Sequence, residues 1–232
     1  MAQAPEISDT FLREVDENLR RDQLRDFVKA YAGWLIAAVI LFLAACGGYI
    51  WYQQHREKRT QEEVEQLAQI YKDIGNGNVA KVPPQLDALS DAGSKAVRAS
   101  ALFTRAAVAI QQNDLKLATS TYKKIAGDGS LPQPYRDAAL IRGTALEFDQ
   151  LKPEDVIGRL QPLTTPGNPW FGSAAEMTAL ALIKQGKARE AGQLFVAIAK
   201  DKDAPDSLRA RAVQIAGSLG ADASAALPPP AQ

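Results

Sequence analysis

Few residues of this chain have the types and spacing that catalysis requires. The sequence contains one histidine, His55, and one cysteine, Cys46, so neither a cluster of histidine ligands nor a thiolate metal site can be assembled. An internal disulfide is excluded for the same reason. His55 lies beside Arg56, shortly after a long apolar run, a position typical of an interfacial side chain rather than of a catalytic base.

The carboxylates and glycines also lack the pattern of an active site. Glu62, Glu63 and Glu65 are close in sequence, but on a helix their spacing is typical of a solvated face. The pairs in Gly75-Asn76-Gly77 and Gly127-Asp128-Gly129 lack the strand, the lysine and the hydroxyl residue of a phosphate-binding loop, and they indicate helix ends. We therefore predict no enzyme, no catalytic, metal or cofactor-binding residues, and no small-molecule substrate. A hydrolase built on glutamates remains an alternative.

The charge composition excludes a further class of partner. The 27 lysines and arginines balance 27 aspartates and glutamates, and the formal net charge is +0. A nucleic-acid-binding domain presents a basic field, so we predict no nucleic-acid partner.

An apolar run in residues 33–52 has the length of a membrane span. No side chain in it is charged, and about 20 helical residues cross a hydrocarbon core of about 30 Å. A buried helix of a soluble protein is the alternative, but such helices seldom run five turns without a polar face. We predict one transmembrane helix at residues 33–52, in contact with the lipid bilayer. Aromatic side chains at both ends are the predicted membrane-interface anchors: Tyr31, Trp34, Tyr49, Trp51 and Tyr52.

A second interpretation of this run remains open. Leu43-Ala44-Ala45-Cys46-Gly47 looks like the lipobox at which bacterial signal peptidases cut before a lipid-modified cysteine, which would remove residues 1–45. Against this, the segment that precedes the apolar run, residues 1–32, is long and carries seven acidic and five basic side chains, whereas a signal peptide has a short basic leader. Apolar residues also continue past Cys46 to Tyr52.

The residues before the span form a predicted charged helix, residues 1–32. Residues 9–31 lack glycine and proline, and opposite charges such as Asp16 and Arg20 stand one helical turn apart. The basic residues on the two sides of the span nearly balance, so the charge rule leans only slightly toward a cytoplasmic N-terminus. They are Arg20, Arg21, Arg25 and Lys29 before the span and Arg56, Lys58 and Arg59 after it.

A helical domain is predicted at residues 53–220. Apolar residues recur at helical spacing, and no alternating pattern of useful length indicates a strand. Val82-Pro83-Pro84 predicts a break, and residues 221–232, rich in alanine and proline, predict a disordered tail. The predicted helices cover residues 56–74, 94–112, 115–127, 134–150, 153–163, 170–185, 187–200 and 206–219.

These helices repeat along the sequence. Shifting the chain so that Ile110 falls on Ile183 superposes identical or similar residues, which corresponds to two units of about 36 residues; we call this displacement the repeat shift. A weaker unit lies between them, and a generic helical bundle with chance similarity is the alternative. In each unit a small residue precedes a large apolar one by one helical turn, so neighbouring helices can approach closely and interlock. The predicted repeat-packing residues are Ala118, Tyr122 and Ile125 in one unit and Ala191, Phe195 and Ile198 in the other.

These residues carry a resemblance to a known family of repeats. Gly186-Lys187-Ala188-Arg189-Glu190-Ala191, followed by Phe195 and Pro205, resembles the second-helix half of a tetratricopeptide repeat. Asn113-Asp114-Leu115-Lys116-Leu117-Ala118, with Tyr122 and Pro132, is a degenerate copy. The signature tryptophan and tyrosine of the first helix are absent, and Ala175 and Leu182 stand there instead. The fold class predicted is therefore all-α, with one transmembrane helix followed by a tetratricopeptide-like α-solenoid.

The order of parts also looks like that of the YfgM-like bacterial inner-membrane proteins. These open with a segment of the type Phe-Leu-Arg-Glu-Val-Asp-Glu-Asn-Leu-Arg-Arg-Asp, here residues 11–22, followed by one span and such repeats. The resemblance implies a cytoplasmic N-terminus, a periplasmic repeat domain, and association with the SecYEG translocon and a periplasmic chaperone. We expect a membrane-anchored, protein-binding adaptor. A scaffold that coordinates envelope or division machinery and a membrane-tethered hydrolase are the alternatives.

Overall fold

The chain is helical throughout the part that the structure describes. The computed structural model describes the backbone of residues 6–223 and the side chains from Tyr31 onward, apart from that of Leu35. Residues 6–223 contain nine α-helices and no strand, which confirms the all-α prediction. The helices are α1 Glu6–Gly75, α2 Val82–Leu89, α3 Lys95–Gln111, α4 Leu115–Gly127, α5 Gln133–Glu147, α6 Pro153–Leu160, α7 Phe171–Lys184, α8 Ala188–Lys200 and α9 Asp206–Ser218, with short 3₁₀ turns at Val79–Lys81 and Gln161–Leu163.

The first helix, α1, is much longer than the sequence pattern indicated. Three separately predicted segments, residues 9–31, 33–52 and 56–74, join in one uninterrupted helix. No proline lies between Glu6 and Gly75, so no residue there blocks the helical hydrogen bonds. The predicted domain boundaries at residues 32/33 and 52/53 both fall inside this helix. The tertiary contacts divide the chain into two compact units, Met1–Arg59 and Thr60–Gln232.

The first unit exposes its apolar side chains. Within the described residues, one helix, near the N-terminus, is long and apolar enough to cross a membrane, and none of its apolar window is buried inside the protein. Trp34 is 80% exposed and Leu41 is 73% exposed. Because exposed apolar area is unfavourable in water by about 25 cal/mol per Å², this helix is a candidate membrane span.

The second unit is a succession of helix pairs. From α2 to α9, each helix packs against the next along the chain. The repeat shift superposes α4 on α8 from the first residue to the last, and it carries α3 onto α7 and α5 onto α9 with small differences at the ends. The cores around Tyr122 and Phe195 are therefore equivalent. The predicted repeat architecture is confirmed.

The turns between paired helices repeat the same geometry. Asn113 after α3 and Gly186 after α7 have positive φ angles of 61° and 77°, and the repeat shift places one on the other. The N–H groups of the next residues, Asp114 and Lys187, donate to the carbonyl oxygens of Ala109 and Leu182 at 2.8 and 2.9 Å. This left-handed helix end favours glycine, and asparagine is the residue that most often replaces it.

The sequence pattern missed helix α2. Val82-Pro83-Pro84 predicted only a break, but these residues form the first turn of Val82–Leu89. The first N–H groups of a helix have no partner within the helix, so prolines are tolerated there. Val82, Leu86 and Leu89 are buried in a core that includes the end of α1 and part of α3, and α2 thereby completes the first helix pair.

The last described residues continue the packing of the second unit. Ala223 is buried, and a Cβ atom placed on Gly192 of α8 would lie 3.0 Å from the Cβ atom of Ala221. Residues 224–232, most of the predicted tail, lie outside the described part of the chain.

Candidate protein-binding surface

The odd-numbered helices of the second unit share one face. The hydroxyl oxygens of Thr104 on α3 and Tyr71 at the end of α1 lie within hydrogen-bonding distance, at 3.4 Å. On α5, the guanidinium of Arg142 lies 5.2 Å from the ring centroid of Phe103 on α3. Side chains that are far apart in sequence thus meet, as expected when the first helices of successive repeats stack side by side.

The same face continues over α7 and α9. The Lys184 ammonium on α7 lies 4.3 Å from the ring centroid of Phe148 and 3.0 Å from the carboxylate of Asp149. On α9, Arg211 pairs with Glu176 of α7 at 2.7 Å. We call this surface, formed by α1 from residue 60, α3, α5, α7 and α9, the odd-helix face.

Exposed apolar side chains lie on the odd-helix face. Ile110 follows Phe103 by two helical turns, and Leu180 and Ile183 follow Glu176 by one and two turns, so helical spacing places them on this side of α3 and α7. All three are exposed, as is Tyr71. Ile110 and Ile183 are equivalent under the repeat shift. Exposed apolar side chains among charged ones are typical of a protein-interaction site.

The predicted repeat-packing residues lie on even-numbered helices, not on the helices that form this face. They belong to α4 and α8 and are all buried: Ala118, Tyr122, Ile125, Ala191, Phe195 and Ile198. A Cβ atom placed on Gly143 of α5 would lie 3.1 Å from the Cβ atom of Tyr122, so α4 and α5 approach closely there. Their burial places all six residues in the interior of the second unit.

The predicted membrane-interface anchors lie on the first unit. Tyr31, Trp34, Tyr49, Trp51 and Tyr52 are all exposed side chains of α1. Trp51 stacks on His55 with ring centroids 5.6 Å apart, so the single histidine contacts an aromatic ring one helical turn before it. Cys46 is a free, half-buried thiol within the same helix.

Glu147 is a carboxylate held between two basic side chains. It accepts hydrogen bonds from Lys123 and Arg159, both at 2.8 Å. Partial burial raises the pKa of Glu147, but these two hydrogen bonds and the charges of their donors outweigh burial and hold the pKa below its usual value. Because the group stays ionised at neutral pH, it is unsuited to donating a proton and fits an ion pair joining α4, α5 and α6.

Sequence reasoning missed the role of Glu63. It was assigned with Glu62 and Glu65 to a solvated face, but its carboxylate accepts the N–H groups of Gly93 and Ser94 at 2.8 and 3.0 Å. This assignment was wrong for Glu63, because its partners lie beyond α2 in the sequence and no local spacing reveals them. The carboxylate fastens α1 to the start of α3, where backbone N–H groups lack helical partners.

Replacing Glu63 by glutamine should lower the free energy of unfolding of the second unit by about 1–3 kcal/mol, because two N–H groups lose a charged acceptor. The Glu62→Gln variant removes the same charge from a neighbouring, exposed position and should change the free energy of unfolding by less than about 0.5 kcal/mol. Urea unfolding of the full chain in detergent, followed by hydrogen exchange of residues 93–98, measures both. Equal shifts for the two variants would show that the bonds to Gly93 and Ser94 contribute little.

Comparison with known proteins agrees with this repeat geometry. The tetratricopeptide repeat-like domain matches residues 25–216 of the chain, from before the apolar run to within α9. This chain belongs to the tetratricopeptide repeat-like family. No curated protein and no solved structure gives a significant match. Tetratricopeptide repeat-like domains are interaction modules and are generally not catalytic, so the family indicates a protein that binds other proteins.

Proposed function

We propose that this tetratricopeptide repeat-like protein is a membrane-anchored adaptor that holds a segment of a protein partner on its odd-helix face. The observation that supports it is the set of exposed apolar side chains there, with Ile110 and Ile183 at equivalent positions of two repeats. Stacked helix pairs form extended binding surfaces on their first helices. A membrane anchor raises the local concentration of the face, so individual contacts can be weak.

The proposal extends to the organisation of the chain. Residues 33–52 of α1 cross the membrane once, with Tyr31, Trp34, Tyr49, Trp51 and Tyr52 as interface anchors, after a charged helix at residues 1–32. Residues 53–220 form the binding domain. The YfgM-like opening at residues 11–22 supports a cytoplasmic N-terminus, a periplasmic repeat domain, and SecYEG translocon subunits and a periplasmic folding factor as partners. Reporter fusions after Gln232 test the orientation.

Site-specific crosslinking in native membranes tests the partner. A photoreactive residue at Ile110 or Ile183 should trap a translocon subunit or a folding factor, and the same residue at Leu115 should not. Leu115 is a matched control because it is 39% exposed, against 40% for Ile110, but it begins an even-numbered helix. Adducts with division or envelope-assembly proteins would favour the alternative function of a coordinating scaffold. Equal trapping at Leu115 would contradict partner binding on the odd-helix face.

Charged substitutions on the odd-helix face should weaken binding. The Ile110→Glu/Ile183→Glu variant places two carboxylates in an apolar contact, so copurification of the partner should fall at least tenfold. Leu115→Glu should leave it within twofold of the wild type. Quantitative mass spectrometry of affinity-purified complexes measures both, with hydrogen exchange as a check that the repeats remain folded. Binding retained by the double variant would contradict the proposal.

A further inference from the structure

The two helical turns after the apolar run carry basic side chains that have no acidic partner. Arg56, Lys58 and Arg59 are exposed, and no carboxylate lies within ion-pair distance of any of them in the described part of the chain. The nearest acid in sequence, Glu57, accepts a hydrogen bond from Gln53 at 3.4 Å. The positive charges are therefore available to an external anion.

These side chains turn back toward the apolar run. The Arg56 guanidinium lies 5.9 Å from the ring centroid of Tyr52, and His55 stacks on Trp51, each one turn earlier in the helix. Side chains of a helix lean toward its N-terminus, which for a helix leaving a bilayer means toward the headgroups. The guanidinium of Arg56 thus reaches the depth of the aromatic ring at the end of the apolar run.

Two of these positive charges lie on one side of the helix. Arg56 and Arg59 follow Tyr52 by four and seven positions, and the ring of His55 follows it by three, which places these side chains on a common face. Glu57 and Lys58 follow Tyr52 by five and six positions and fall outside this face. Over these two turns the face has an aromatic ring at its centre, cations around it and no carboxylate, so it is complementary to a layer of phosphates.

We propose that Arg56 and Arg59 bind the headgroup phosphates of anionic glycerophospholipids. The inference rests on the proposed membrane span. A guanidinium offers paired N–H donors that match two phosphate oxygens. Each basic residue near an anionic surface contributes about 1 kcal/mol, which is about a fivefold change in association. This face thereby enriches anionic lipids around α1, in the leaflet at the C-terminal end of the span.

Native mass spectrometry of the full chain tests the inference. The protein is purified in detergent micelles that contain equal amounts of phosphatidylglycerol and phosphatidylethanolamine, and the lipids that remain bound are counted. The wild type should retain phosphatidylglycerol preferentially, and Arg56→Gln/Arg59→Gln should reduce that preference about 25-fold. Lys72→Gln/Lys81→Gln removes the same charge from the second unit and should leave the preference unchanged.

Three outcomes would overturn the inference. The first is equal retention of the two lipids by the wild type. The second is an equal loss of phosphatidylglycerol preference in the two double variants. The third is displacement of the bound lipid by millimolar inorganic phosphate, which would indicate a general anion site. Alkaline extraction of membranes separates this inference from the proposed function. If the wild type stays embedded but shows no lipid preference, the headgroup site alone fails; if the wild type is released, the span fails as well.

Discussion

Replacing Phe195 by alanine should lower the free energy of unfolding of the second unit by about 3–5 kcal/mol. Phe195 is fully buried between α7, α8 and α9, in a core that also contains Ala179 and Ile198. Truncation removes the buried ring and leaves a cavity that the small neighbouring residues cannot fill. A domain is typically stable by about 5–15 kcal/mol, so the loss is a large fraction of the total. Thermal unfolding of the full chain in detergent should shift by on the order of 10 °C.

Phe103→Ala is the matched control for Phe195→Ala. It removes the same side chain from a half-buried position on the odd-helix face, so we expect a loss of about 1 kcal/mol. In a solenoid each repeat depends mainly on its neighbours. Hydrogen exchange in Phe195→Ala should therefore accelerate first in α7, α8 and α9 and least in α2 and α3. Equal losses of unfolding free energy in the two variants would contradict the assigned core. Hydrogen exchange that accelerates equally in all helices of the second unit would contradict it as well.

Two arginines in the middle of the apolar run should abolish stable membrane integration. Leu41 and Phe42 are both exposed on α1, and the proposed span places them near the bilayer centre. Each change from a large apolar residue to arginine there costs about 3–4 kcal/mol of insertion free energy, so Leu41→Arg/Phe42→Arg costs about 6–8 kcal/mol. Alkaline extraction followed by flotation should recover the wild type with the lipid and the double variant without it.

Two further variants separate the interpretations of this segment. Gln53→Arg/Gln54→Arg adds the same charge beyond the apolar run and should float like the wild type. Cys46→Ala should also float and should have the same intact mass as the wild type apart from the substitution, whereas in a lipoprotein it would block the cleavage that shortens the wild type. Intact mass of the wild type should correspond to a chain that retains residues 1–45. Flotation of the Leu41→Arg/Phe42→Arg variant would contradict the span.

The tetratricopeptide repeat-like match includes residues of both units. The match begins at residue 25 and ends at residue 216, so the apolar helix and the repeats belong to one family pattern. An interaction domain fixed to a membrane needs only modest affinity, because the anchor confines it near its partners. The proposed partner binding on the odd-helix face and the proposed headgroup site have separate tests.

The amino-acid sequence by itself determined the local structure and the repeat. Helical spacing of apolar residues predicted every helix from α3 to α9 with small errors at the ends, because that periodicity reflects which side of each helix is buried. The repeat shift established the equivalence of α4 and α8, because equivalent packing positions require similar side chains. The apolar run was predicted as a candidate span from its length and its lack of charged side chains alone.

Only the tertiary structure decided how distant residues meet. The role of Glu63, the contact of Arg142 with Phe103 and the exposure of Ile110 and Ile183 depend on which helices lie side by side. The contacting residues belong to different helices, and no local pattern encodes their contact. Helix α2 was missed for a related reason, since its prolines predict an interruption while burial of its apolar side chains stabilises a helix. Burial between elements, which the sequence does not display, decided both the odd-helix face and the first helix pair.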